Sequence, residues 1–158
     1  MSRGGRWAAW SVAAVVAIVH FAVAGFDRGR LHWSDTVPLR LEVAGLVLFA
    51  LGNMASVWIV SVNPYFSSEV RIQKDRGQTV ISTGPYAWVR HPGYAAGFVV
   101  LLASGPALGS WIATAVILAI LPLLLRRTIA EDRLLRAELD GYQAYAERVR
   151  WRLLPGVW

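Results

Sequence analysis

The sequence predicts an all-α integral membrane protein with about four transmembrane helices, including a carboxyl-terminal helix hairpin, followed by a cytoplasmic amphipathic helix. Three observations predict it. Of 158 residues, 56% are hydrophobic and only 16% are charged, too apolar a balance for an ordinary soluble domain of this size. Three stretches meet or exceed the roughly 20 apolar residues needed to cross a bilayer core of about 30 Å. The Lys and Arg residues, finally, are distributed unevenly between the connections, as they are in oriented membrane proteins.

The same composition excludes several classes. Cysteine is absent, which removes disulfides, thiolate metal sites and cysteine nucleophiles. His20, His32 and His91 are too scattered to suggest a metal centre, so none is expected. A net charge of +6 on so hydrophobic a chain points to anionic lipid as the partner and not to nucleic acid. With no internal repeat and no low-complexity linker, residues 1–158 read as one domain.

The first span covers 7–26, from Trp7 to Phe26. Arg3 and Arg6 precede it and Ala22-Val23-Ala24 closes it, so a cleaved secretory signal is a rival reading; the near-complete span length and the membrane segments that follow favour a retained helix. The second span covers 41–62, with Glu42 at its mouth. His20 and Asn53 lie inside these spans and read as interhelical hydrogen-bonding groups. The third stretch runs uncharged from Ala95 to Leu125, 31 residues, well over one bilayer thickness at about 1.5 Å per residue. It is expected to fold back as two spans, 94–105 and 107–125, breaking at Gly105-Pro106 with Gly109 beyond. That hairpin places 13 of the 16 basic residues on one side and leaves Arg28, Arg30 and Arg40 on the other. Both termini, the loop 63–92 and the tail 126–158 are then cytoplasmic, which suits an inner or plasma membrane. Trp7, Trp10, Trp33, Trp58, Trp111, Trp151 and Trp158 fall near segment ends, as headgroup anchors do. Gly93-xxx-Gly97 and Gly105-xxx-Gly109 are spacings that let helices approach closely.

The chemistry is expected in the loop and the tail. The loop is too long and polar for a mere connector. It closes on Gly84-Pro85-Tyr86 and then Val89-Arg90-His91-Pro92-Gly93-Tyr94, where Gly84-Pro85 makes a turn and Pro92 fits the first position of a helix. A helix start offers free N–H groups to an anion, and Arg90 adds a guanidinium suited to a carboxylate. Headgroup contacts by Arg90 and interfacial anchoring by the tyrosines are the alternative reading. The tail keeps apolar positions at helical spacing and reads as one long amphipathic helix, with Glu131, Leu135, Glu138, Tyr142 and Tyr145 on one face and Arg126 and Arg127 above them. A Glu131–Arg127 pair at four residues' spacing is the plain structural alternative, and Gly141 is placed to end or bend the helix.

Together the Gly-Pro-Tyr lead, the Arg-His-Pro-x-Tyr element, the hairpin and the Arg, Glu, Leu and paired-Tyr tail resemble the isoprenylcysteine carboxyl methyltransferase and phospholipid methyltransferase superfamily of integral membrane enzymes, over roughly Asn63 to Pro155. The resemblance implies S-adenosylmethionine as cofactor and transfer of its methyl to a lipophilic acceptor, an isoprenylcysteine carboxylate or a phospholipid amine. It implies cofactor contacts by Tyr86, Arg90, His91, Pro92, Tyr94, Tyr142 and Tyr145, and catalytic roles for Arg126 and Glu131, with Asp132 as an assistant to Glu131. Counting back from the tyrosines puts Ala130 where the superfamily carries its first glutamate; Arg127 is the alternative to Arg126 if the register slips by one. Methyl transfer is an in-line displacement, so positioning and water exclusion are what the protein must supply. No G-x-G-x-x-G occurs, which excludes a soluble dinucleotide-type fold. The competing readings are an NADPH-dependent membrane reductase and a non-catalytic lipid-binding membrane protein.

Overall fold

In the computed structural model the chain is described over residues 3–67 and 69–158, with side chains described from residue 14 onward. Among the described residues five α-helices form: α1 (Arg3–Phe26), α2 (Leu39–Val62), α3 (Pro92–Ala107), α4 (Trp111–Glu138) and α5 (Tyr142–Arg148). Among the described residues there is no strand. The expected anchors Trp7 and Trp10, and the basic Arg3 and Arg6, have side chains outside the described residues.

Helices α2 and α4 are each long and apolar enough to cross a bilayer, and the apolar α3 is shorter, at 16 residues. Helix α2 is apolar all round and leaves Leu46, Leu51, Met54 and Val57 exposed. Water would penalise that surface, whereas hydrocarbon does not.

The chain divides into two compact units, residues 1–51 with 99–121 and residues 52–98 with 122–158. In the first unit α1 ends in a π-helical turn, Asp27–Leu31, that buries Asp27 completely. The hydroxyls of Ser34 and Ser110 both donate to its carboxylate. Ser110 also caps α4, its Oγ accepting from Ala113 N at 3.0 Å, while Ser34 Oγ accepts from Trp111 N at 2.9 Å. Two of the orphan amides that begin α4 are thereby satisfied. His20 meets Ser104 at 3.0 Å, the interhelical pairing expected of a polar group in a span.

The hairpin turns at Leu108–Ser110 and not at Gly105-Pro106, which corrects the expected breakpoint. Gly105 and Pro106 remain in the last turn of α3. The helix stops because Gly109 adopts φ 65°, with Ser110 N donating to Gly105 O at 3.0 Å and Gly109 N to Pro106 O at 2.9 Å. These two bonds around a left-handed glycine are a Schellman stop. Gly105 is instead a packing residue, since a Cβ there would collide with the backbone of Thr114.

In the second unit the expected loop is compact. Gln73 is buried, donates to Tyr65 O at 2.6 Å and accepts from Arg76 Nη1 at 2.8 Å, and Tyr65 OH donates to Gly77 O at 3.1 Å. Gly84–Ala87 forms a 3₁₀ turn, as the Gly84-Pro85 pair requires. The tail is not one long helix. Helix α4 continues without interruption from its apolar part to Glu138, Gly141 takes φ 78°, and the short α5 follows. Leu139, Tyr142, Tyr145 and Ala146 are buried together there, with Ile72, Val80, Leu135 and Val149 packed against them. Glu138, expected on the same face, is exposed.

Candidate functional site

Pro92 opens α3, its fixed φ suiting the first helical position, and Ala95 N donates to His91 O at 3.1 Å. The two residues before it are held by the carboxyl-terminal segment: Arg90 N donates to Trp151 O and His91 N to Arg152 O, each at 2.9 Å. Their side chains therefore face α4 from a fixed backbone.

There they meet Asp132, the hub of the unit. Arg90 donates through Nε to Asp132 Oδ1 at 2.8 Å and through Nη2 to Oδ2 at 3.3 Å, while its Nη1 reaches Val149 O at 2.7 Å. His91 Nε2 lies 3.2 Å from the same Oδ1, and Tyr142 OH donates to it at 3.2 Å. Arg136 Nε and Arg152 Nε both donate to Oδ2, at 3.2 and 3.0 Å. The side chains of Arg90 and Asp132 are each 1% exposed. Burial works against the Asp132 charge, but the hydrogen bonds from His91 and Arg90, the Arg90 charge and the bond from Arg152 outweigh it and hold the carboxyl well below the usual carboxylate range.

One position earlier on α4, Glu131 faces a second cluster. Tyr94 OH donates to Glu131 Oε2 at 2.7 Å and accepts from Arg127 Nε at 2.9 Å. A phenol with a carboxylate on one side and a guanidinium on the other has its proton and its lone pair both assigned. The remaining tyrosines are internal struts. Tyr145 OH donates to Tyr86 O at 2.7 Å, and Asn63 Nδ2 donates to Tyr86 OH at 2.9 Å. Burial first, and then neighbouring negative charge, raises the phenol pKa of Tyr142 above its ordinary value, and burial does the same for Tyr145 and Tyr86.

The structure thus brings together Arg90, His91, Pro92, Tyr94, Glu131 and Tyr142, with Tyr86 and Tyr145 packed beside them. It does not bring Arg126, which is exposed, whereas Arg127 takes the place beside Tyr94. Sequence reasoning missed Arg136, Arg152 and Asn63, and placed Asp132 only as an assistant to Glu131 and not as the hub. A signal for Asp132 was present. Read forward from Arg127, the alternative register, the tail runs arginine, three residues, then the acidic pair Glu131-Asp132.

The sequence model of one family, the isoprenylcysteine carboxyl methyltransferase (ICMT) family, matches residues 43–137, more than half of the chain and both halves of this constellation. The chain belongs to the ICMT family. Among solved structures, the eukaryotic intramembrane Ras methyltransferase ICMT matches with a TM-score of 0.64 at 22% identity, over 99% of this chain and 53% of that one. At that identity the likeness concerns the fold. Two curated relatives carry other names. The cobalt-zinc-cadmium resistance protein CzcN of Cupriavidus metallidurans is 27% identical over 83% of this chain. The nickel-cobalt-cadmium resistance protein NccN of Alcaligenes xylosoxydans xylosoxydans is 28% identical over 88% of it. The chain spans 57% and 60% of the length of these two relatives.

Proposed function

We propose that this ICMT-family chain is a multi-pass membrane methyltransferase that moves the methyl of S-adenosylmethionine to a lipophilic acceptor. The observation that carries the proposal is the meeting of Tyr94, Glu131 and Arg127 beside the Arg90–His91–Asp132 cluster. In this reading four helices cross the membrane, both termini and the site lie on the cytoplasmic side, and the acceptor arrives from the bilayer. The donor set suits the cofactor, because carboxylate, phenol and guanidinium groups match its ammonium, sulfonium and carboxylate.

When bound, the cofactor supplies an electrophilic methyl on a sulfonium. The chain's task is then alignment and exclusion of water. Tyr94 holds its hydroxyl fixed between Glu131 and Arg127, so the three move as one group. Arg127 offers positive charge to an anionic acceptor, and Glu131 orients an amine or takes its proton. A carboxylate acceptor needs no base, being a nucleophile already at neutral pH. Arg90 and His91 act on this group indirectly, by fixing α4 through Asp132, and Pro92 fixes the helix start that carries Tyr94. Tyr86, Tyr142 and Tyr145 form the packed wall behind.

Isothermal titration of the detergent-solubilised chain tests the reading. S-adenosylmethionine and S-adenosylhomocysteine are expected to bind and NADPH is not. Binding of NADPH alone would make the chain a reductase, and binding of none of the three would leave a lipid-binding protein.

A further inference from the structure

The Asp132 cluster is out of electrostatic balance. Three guanidiniums, those of Arg90, Arg136 and Arg152, converge on one carboxylate, which leaves two positive charges in excess before His91 is considered. Among the described residues no second carboxylate lies within ion-pair distance of any of the three. The three arginines are not equivalent. Arg90 is buried and uses all three nitrogens inside the protein. Arg136 and Arg152 spend only Nε, both on Oδ2, and their side chains are 33% and 31% exposed. Both guanidiniums thus gather at one oxygen, and among the described residues no hydrogen bond engages their Nη groups. The Trp158 ring lies under Arg152, 5.1 Å from its guanidinium carbon, which fixes the plane of that fork. Like charges gathered at one carboxylate oxygen, part-exposed and with unspent donors, are stabilised when an anion completes them.

We infer that Arg136 and Arg152 form an anion site that takes the carboxylate end of a small molecule, and that this carboxylate is the one on the methionine moiety of the cofactor. The second half of the inference rests on the proposed methyltransferase reading. Asp132 is then a positioning residue, presenting the two forks in parallel through its Oδ2 and locking them to Arg90 through its Oδ1.

The test compares ligands that differ at one group. S-adenosylmethionine, decarboxylated S-adenosylmethionine and 5′-methylthioadenosine are titrated by calorimetry into the solubilised full chain, into Arg136→Gln and into Arg152→Gln. The wild type is expected to prefer the carboxylated ligand. Each variant should lose about tenfold or more in affinity for it while changing the other two by less than about twofold, in line with the loss of one charge-assisted hydrogen bond. The wild-type preference is read without any variant, and unaltered methylthioadenosine binding shows that a variant has kept its fold. If the wild type binds S-adenosylmethionine with no preference over the decarboxylated form, or if the variants weaken all ligands equally, the anion site is refuted while the methyltransferase reading stands. If glycerol phosphate binds the wild type and the variants lose that binding alone, the pair is a headgroup site and the inference fails. If no adenosyl ligand binds the wild type at all, the methyltransferase reading itself is refuted.

Discussion

At the scale of single residues, Asp132 shows how a carboxylate can hold more structure than its sequence context suggests. Four residues before Arg136 on a helix, it reads as half of a surface ion pair worth a few tenths of a kcal/mol. Its side chain is instead buried, and its other partners come from residues 90, 91, 142 and 152. Asp132→Asn keeps the shape and removes the charge that offsets buried Arg90, so it is expected to cost about 3–5 kcal/mol in unfolding experiments in detergent. The acid limb of stability carries the same signature. Because the folded carboxyl is held below the unfolded value of about 3.9, its contribution is complete above that value and is lost as pH falls below it. The wild type should therefore lose melting temperature below about pH 4, and Asp132→Asn should show a flatter limb there. The neighbouring cluster supports a kinetic prediction. Arg127→Ala removes the guanidinium that donates to Tyr94 and is expected to cut methyl transfer about tenfold to a hundredfold, and Arg126→Ala to cut it less. Radioactive methyl incorporation into lipid extracts checks the order.

Among the helices, close packing makes demands that hydropathy does not reveal. A Cβ on Gly45 of α2 would stand 2.6 Å from Ala107 N and 3.0 Å from Ala103 O, backbone atoms of α3 that cannot yield cheaply. Gly45→Ala is expected to destabilise the protein by about 1–3 kcal/mol. Gly97 of α3 meets nothing within 4 Å, so Gly97→Ala should be neutral or stabilising by up to about 1 kcal/mol. Thermal unfolding of the two variants separates these outcomes. The Gly93-xxx-Gly97 spacing was legible as a packing motif, yet only Gly93 packs, against Phe66. What the sequence displays well is what backbone chemistry decides alone: the helix start at Pro92, the 3₁₀ turn at Gly84-Pro85 and the stop at Gly141. The hairpin was misplaced by a few residues, because Pro106 can occupy a last helical turn that Gly109 then closes. The tyrosine pair and Arg90 were legible as candidate site residues by type, whereas the pairing of Arg90 with Asp132, 42 residues away, was not.

For the whole molecule, topology is set by charge and by apolar length together. The apolar surfaces of α2 and α4 suit hydrocarbon, and in the proposed topology the unequal basic count decides which connections stay in the cytoplasm. A chain without cysteine makes that orientation directly measurable, since any thiol introduced is the only one. Gly29 lies in the connection after α1, where a side chain would meet nothing within 4 Å, and Gln143 is exposed on α5. In intact cells a membrane-impermeant maleimide is expected to label Gly29→Cys and to spare Gln143→Cys until the membrane is opened. The reverse pattern would invert the protein and move the proposed site to the outer face, away from the cytoplasmic cofactor supply. Labelling of both in intact cells would mean an odd number of crossings between residues 29 and 143 has become even, so that α3 and α4 do not form the two arms of a membrane-spanning hairpin.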